Sequence, residues 1–547
     1  MKITEETTRQ FLRGILLIIK KRLNWIIRGI FSAVGSVAFM VNAEEGATAS
    51  KKPVTAFALT QMSPQVPFLV DGTSRELLTL TLELDHPRAL RSVEIIAGTG
   101  ENLLSQLTLN VPGEWRMLKA KDDVVTFQGE AMLPAGKHRF VLSGSATPGV
   151  DLLTRIHPRC KAMHFSDGEI LHPAESNMPA LRPACLIHRR GQFDCHTFRI
   201  PAIARAQDGS LLAVYDMRYL SARDLQGHMD IGLSRSKDGG RTWADPVPIM
   251  DMGEFGGRPQ AENGCSDPNI LIDPKTGEIF VSAVWTHGKP GTHQWVGKGS
   301  EPGHDLSRSS QFMMVRSRDH GKTWSSPENR TVAFKDPAWH LFAPAPGNGI
   351  ALRDGTLVMP TQGRDATGLP FSNLIVSRDH GATWSVSTHA RSNTTECAVA
   401  ELSDGSLLLN MRDNRNRNDQ SAQNGRALSI TRDLGKTWDV HPADHGALPE
   451  PVCMASMISH QLTDGRNILI FSNPRHKSAR REMTIQISWD DGKSWPEQQR
   501  ILLDEKGGAY SSLVMTDDKT LGIIYESSQA DLVFQKILLS ELIGAGD

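Results

Sequence analysis

The chain has 547 residues and a formal net charge of −1, from 60 basic and 61 acidic side chains. That length accommodates roughly two to four domains, and the even charge balance supplies no global field to steer nucleic acid or an acidic surface, so any anion site must be a local cluster of arginines. The six cysteines, Cys160, Cys185, Cys195, Cys265, Cys397 and Cys453, show no CxxC or other metal spacing, and a fold held together by disulfides is out of keeping with this size.

In chain order, residues 1–43 stand apart from the folded body. Lys20, Lys21, Arg22 and Arg28 precede an apolar run, 29–41, and Val41-Asn42-Ala43 sets small or apolar residues before Glu44-Glu45. This is the pattern of a secretory signal peptide cleaved after Ala43, which places the mature protein outside the cytoplasm with no membrane insertion. The alternative is an uncleaved anchor: 23–41 nearly reaches membrane length, although Asn24 and Arg28 interrupt it. No cysteine follows the run to carry a lipid. Spacing alone leaves a Cys185–Cys195 pair open.

Residues 44–183 read as β structure. Leu78, Leu80, Leu82 and Leu84 alternate with Thr79, Thr81 and Glu83, which predicts a half-buried strand. Runs at 91–97, 103–111, 124–132 and 137–143 predict further strands, separated by Gly and Pro turns. Short strands with regular turns predict a β-sandwich. A carbohydrate-binding module and a rigid spacer fit this stretch equally, and 171–183, with three prolines, reads as a linker.

From 184 onward an eight-residue pattern, Ser-x-Asp-x-Gly-x-Thr-Trp, recurs. It occupies 236–243, 317–324, 377–384, 431–438 and 488–495, with Thr431 and Ser494 as the only variations. Asp bonds its own backbone in a tight turn, Gly supplies a positive φ, and Thr and Trp suit the strand that follows. The Trp ring is expected to wedge between neighbouring sheets. The copies lie roughly 55 to 80 residues apart, about one four-stranded blade with its loops. The expected architecture is all-β: a six-bladed β-propeller, 184–547, behind the N-terminal β-sandwich. The sixth blade would form from strands near 521–525 and 532–539, closed by a strand from the start of the domain so that no sheet edge stays open.

Three arginines sit at comparable phases before boxes in different blades. Arg199 lies in Thr197-Phe198-Arg199-Ile200-Pro201, Arg412 follows the apolar strand 407–411, and Arg480 precedes 483–488. Equivalent strand ends converge on a propeller axis, where three guanidiniums would hold a carboxylate by charge-assisted, partly bidentate bonds.

These residues resemble those of bacterial, non-viral exo-α-sialidases. Phe198-Arg199-Ile200-Pro201 matches that family's Phe/Tyr-Arg-Ile-Pro motif, and the five repeats look like its Asp boxes. The segment 396–412 resembles the stretch with the catalytic glutamate and second triad arginine. Tyr510-Ser511-Ser512 and 521–526 resemble the nucleophile segment and its closing glutamate. The resemblance covers about 197–534. It implies release of terminal α-linked sialic acid from glycoproteins, glycolipids or oligosaccharides, with retention and without a cofactor. Sialic acid bears a carboxylate on its anomeric carbon, which repels a carboxylate nucleophile but not a phenol. Tyr needs a base beside it, because its reference pKa is about 10. The resemblance therefore implies Tyr510 as nucleophile, Glu396 as its base and Asp224 as acid/base on a loop over the sugar. It further implies that Arg218 and Asp267 hold the 4-hydroxyl region and that Glu526 orients Arg199.

Some alternatives stay in play. Glu401 is the rival base, and Asp216 and Asp230 compete with Asp224. Gln362 is a candidate for the pocket wall, while Arg415, Arg417 and Asn418 read as a solvated loop. His287, His293 and His304 are too irregularly spaced for zinc. A trans-sialidase would keep the chemistry and change the acceptor. A sialoglycan-binding lectin would keep the arginines but lose Tyr510, Glu396 or Asp224, and all three are present.

Overall fold

The computed structural model describes residues 57–98, 103–118, 123–290, 295 and 299–544. The expected signal peptide, 1–43, and His293 lie outside the described residues. Among the described residues strand dominates, and helix is limited to single turns such as Thr331–Phe334 and Ser540–Ile543. Among the described residues no helix is long and apolar enough to cross a membrane.

The N-terminal part is two sheets around one core. The four-stranded sheet contains Ala58–Met62, Arg75–Leu84, Gly136–Ala146 and Leu104–Leu109; the five-stranded sheet centres on Arg88–Ile96, between Arg159–Phe165 and Val124–Leu133. The leucine alternation does what period two requires. Leu78, Leu80, Leu82 and Leu84 are all buried and share a core with Leu90, Val93, Ile95 and Phe127 of the facing sheet.

Among the described residues the body that follows consists of six sheets, each built on an antiparallel run of strands, with one added parallel strand in sheets 2 and 6. Sheet 1 begins with Thr197–Arg205, sheet 2 with Cys265–Ile272, sheet 3 with Leu341–Pro344, sheet 4 with Thr394–Glu401, sheet 5 with Ser456–Gln461 and sheet 6 with Ser511–Asp517. Each leading strand touches the preceding sheet, and that of sheet 1 touches sheet 6, so the sheets form a closed β-propeller. Closure uses both ends of the body. Pro183–His188 runs antiparallel to Leu532–Leu538 on the outer side of sheet 6. An unforeseen strand, Phe68–Leu69, leaves the N-terminal part and pairs in parallel with Pro183 and Ala184. Glu541 accepts from Arg155 and lies 2.9 Å from Arg182, which ties the expected linker region to the C-terminal turn.

All five repeats form the same turn. In the first, Thr242 N and Oγ1 donate to Asp238 at 3.0 and 2.6 Å, Gly240 N donates to Ser236 Oγ at 2.8 Å, and Trp243 Nε1 donates to Gly240 O at 3.2 Å. These donors hold the box carboxyls low, at about 2 for Asp379 and Asp433, where the bonds from Thr383 and Thr437 dominate. The glycine has a second reason to be there. A Cβ on Gly381 would sit 2.3 Å from the Phe280 ring of the preceding sheet, and one on Gly240 would sit 2.0 Å from Phe534 of sheet 6. Trp384 and Trp243 pack edge-on against those same rings, so each box is also the joint between two blades. All six cysteines are free thiols, including Cys185 and Cys195.

Candidate active site

Three leading strands carry a register shift where they reach one end of the propeller. The shifts fall between Arg199 and Ala202 in sheet 1, Ser266 and Asn269 in sheet 2, and Thr394 and Cys397 in sheet 4. At two of them the residue before a proline has positive φ: Ile200, 58°, and Asp267, 62°. A proline disfavours the right-handed helical region for the residue before it and cannot donate to the ladder. The strand therefore bulges, and a bulge re-aims the side chains around it. Here it delivers Arg199, Asp267 and Glu396 to a cavity of about 420 Å³ that also receives Asp224, Arg412, Arg480 and Tyr510.

At the centre, Tyr510 Oη donates to Glu396 Oε1 at 2.6 Å. Arg412 Nη1 donates to Glu396 Oε2 at 2.6 Å and to Tyr510 Oη at 3.2 Å. The Arg199 and Arg480 guanidiniums each lie 5.5 Å from the centre of the Tyr510 ring. Burial, then the Glu396 charge, pushes the Tyr510 hydroxyl well above the ordinary phenol range, and Arg412 and Arg480 pull the other way. The resting phenol is therefore neutral, with its proton already pointed at a carboxylate.

Arg199 is fixed from behind. Glu526 accepts from its Nε and Nη2, both at 3.2 Å, and from the backbone N–H of Ile200 at 2.9 Å. Asp224 leans over the cavity from the loop between Leu211–Arg218 and Met229–Ser236, its side chain 40% exposed. Its Oδ1 accepts from Arg218 Nη1 at 2.8 Å and lies 3.5 Å from Arg199 Nη1. Asp267 is buried, and burial, then the charges of Glu396, Asp216 and Asp224, hold its carboxyl well above the usual carboxylate range.

Of the nine expected site residues, seven line the cavity, while Glu526 and Arg218 lie behind it. Arg218 is 1% exposed, and its donors go to Asp216, the Ala222 carbonyl and Asp224. In this structure it braces the Asp224 loop, and of the expected Arg218–Asp267 pair only Asp267 lines the cavity. The rivals fall away. Glu401 pairs with Arg353 at 2.9 Å and faces a different cavity. Asp230 accepts from Tyr219 Oη, and Asp216 is fully buried with Arg218, Ser266 and the Asp267 N–H as partners. Gln362 lines the cavity as expected.

The sequence reading missed Trp295, Arg364, Thr395 and Asn414; Arg417 is exposed, as expected of a solvated loop, and also lines the cavity. The one usable signal was position: Arg364 ends the strand Leu357–Arg364 at the same end of its sheet as Arg412. His304 bonds the Lys335 carbonyl, and among the described residues no His, Cys, Asp and Glu cluster is arranged to hold a metal ion.

A propeller whose axial pocket joins an arginine clamp, a Tyr–Glu pair and a loop carboxylate defines a class, the β-propeller glycoside hydrolases. Comparison with known proteins narrows it. A family profile described as a BNR repeat-like domain matches residues 260–524. A sialidase of Bacteroides fragilis (strain YCH46) is 37% identical over 522 residues, 88% of this chain and 94% of that protein. The solved structure of the Hadza microbial sialidase Hz136 superposes with a TM-score of 0.79 at 34% identity, covering 88% of this chain and all of that one. An intramolecular trans-sialidase from Ruminococcus gnavus shares the fold, with a TM-score of 0.53 at 18% identity, over 65% of this chain and 98% of that one. The chain belongs to the sialidase family.

Proposed function

We propose that the protein is an exo-α-sialidase that hydrolyses terminal α-linked sialic acid on sialylated glycans with retention of configuration. The observation that carries this reading is the Tyr510–Glu396 hydrogen bond set among three arginines. Arg199, Arg412 and Arg480 clamp the sugar's carboxylate, which brings the anomeric carbon over the Tyr510 oxygen. In the first step that oxygen bonds to the anomeric carbon as its proton passes to Glu396. The glycosidic bond breaks, and Asp224 protonates the departing oxygen. In the second step Asp224 takes a proton from water, the water oxygen bonds to the same carbon, and the bond to Tyr510 breaks as Glu396 returns its proton. A neutral phenol suits an anomeric centre that already bears a negative group. The signal-peptide pattern supports export, with the mature chain starting at Glu44.

The test is hydrolysis of a fluorogenic α-sialoside by the chain from Glu44 onward, beside Tyr510→Phe, with the released anomer followed by proton NMR. Rapid release of the α anomer by the parent and a loss of several orders of magnitude in the variant are expected. Equal rates would remove Tyr510 from the mechanism, and first release of the β anomer would exclude retention.

A further inference from the structure

Five guanidinium groups line the cavity, and the clamp uses three of them. The other two, Arg364 and Arg417, stand with Pro370 and Asn414 on the wall built from sheets 3 and 4. Arg199 and Arg412 have carboxylate partners in Glu526 and Glu396. Among the described residues neither Arg364 nor Arg417 has one. Arg364 is half-buried, and its Nε is sealed from solvent without a hydrogen-bond partner. Burial draws its guanidinium below the ordinary arginine range, and no neighbouring carboxylate opposes that shift. Residues 291–294 and 296–298, which flank Trp295 outside the description, contain no Asp or Glu.

For Arg364 a half-buried charge without a partner is costly to keep, and its unsatisfied donor marks a place where a ligand supplies the acceptor; the exposed Arg417 adds a second charge on the same wall. The charge balance agrees. Facing the five arginines are three carboxyl groups, Asp224, Glu396 and Asp267, and burial favours the uncharged form of Asp267. A sugar with a single carboxylate answers the clamp and leaves the sheet 3 and sheet 4 wall positive.

We propose that Arg364 and Arg417 form a second anion subsite, which takes an oxyanion borne elsewhere on the sialylated substrate. This rests on the sialidase reading and adds a substrate class to it: doubly anionic sialosides. The second oxyanion is the carboxylate of a neighbouring sialic acid or a sulfate on an adjoining sugar. Both offer planar or tripodal oxygens that match a guanidinium fork.

The experiment measures kcat/KM at low and high ionic strength for three substrates: 3′-sialyllactose, an α2,8-linked disialyl-lactose and a sulfated 3′-sialyl-N-acetyllactosamine. The enzymes are the parent, the Arg364→Gln/Arg417→Gln double variant and Arg364→Lys. The parent is expected to favour at least one doubly charged substrate over 3′-sialyllactose by about tenfold, the effect of one or two charge-assisted bonds at a solvated rim. That preference shrinks in high salt. It disappears in the double variant, whose rate on 3′-sialyllactose stays within about twofold of the parent, and it survives in part in Arg364→Lys, which keeps the charge. The favoured substrate identifies the source of the anion. A parent without preference, a preference that survives in the double variant, or an equal loss on all three substrates would overturn the subsite. A parent that fails on 3′-sialyllactose itself would overturn the sialidase reading, a result distinct from the other three.

Discussion

Glu526→Gln isolates the support behind the clamp. Glu526 touches Arg199 and the Ile200 N–H, and it does not line the cavity. Glutamine keeps the volume and one acceptor oxygen, which can still serve Ile200 N and Arg199 Nε. The second oxygen becomes an NH2 that faces Arg199 Nη2, so a charge-assisted acceptance at 3.2 Å turns into donor against donor. One such bond is worth about 1.5–3 kcal/mol. Arg199 is then free to rotate, and that ordering cost falls on the substrate. The expected loss in kcat/KM is roughly 10- to 100-fold at about 1.4 kcal/mol per decade. In the proposed mechanism the clamp grips the carboxylate before and during bond breaking, so the loss should fall mainly on KM. Steady-state kinetics on a fluorogenic α-sialoside, with the Tm measured alongside, reads both. A folded variant with kcat/KM within twofold of the parent, or with the whole loss in kcat, would refute the view that Glu526 acts by fixing Arg199.

Asp224→Ala should lose about 10²–10⁴-fold on 3′-sialyllactose, whose leaving oxygen needs a proton, and far less on an activated aryl sialoside; equal losses on both would exclude the acid role. His445 sits between Asp413 and Asp444 at 2.9 Å each, and the bonds to those two carboxylates raise its pKa to about 9. A raised pKa in the folded state contributes stability that is fully present below the unfolded value of about 6.5 and fades as pH rises through about 9, on the order of 2–3 kcal/mol here. His445→Gln should therefore lower Tm at pH 6 and much less at pH 9.5, and a deficit that does not change with pH would contradict this. Gly381→Ala, with φ of 80° and Phe280 at 2.3 Å, should cost about 2–4 kcal/mol. Gly355→Ala, with φ of 88° and open space, should cost about 1 kcal/mol. Equal Tm losses would mean that the boxes do not join the blades.

Much of this was legible because the repeats state their own geometry. A Ser, Asp, Gly, Thr and Trp at fixed offsets determine one turn, five such turns imply a ring, and a ring brings Arg199, Arg412 and Arg480 to one axis. Sequence was weaker on direction. Arg218 illustrates it: expected at the pocket, it is folded back on Asp216 and Asp224. Arg417 is exposed, as expected, and also lines the wall. Both sit where strands give way to loops, and there the aim of a side chain depends on partners dozens of residues away, which no local pattern encodes. The dipeptides Ile200-Pro201 and Asp267-Pro268 did hold a clue, since a proline after a bend in the innermost strand signals the bulge that turns its neighbours inward.

The seam of the ring sets an order on how the protein comes into being. Arg199 and Glu526 are 327 positions apart, and Thr197 meets Asp531 across 334. Pairings of such long range are the slowest to form, since loop closure must precede any gain from contact. A chain still being synthesised holds the first half of its clamp for hundreds of residues before the second half exists. Partial products therefore have open sheet edges and no working pocket, and the last strand completes the barrier to aggregation and the catalyst in one event.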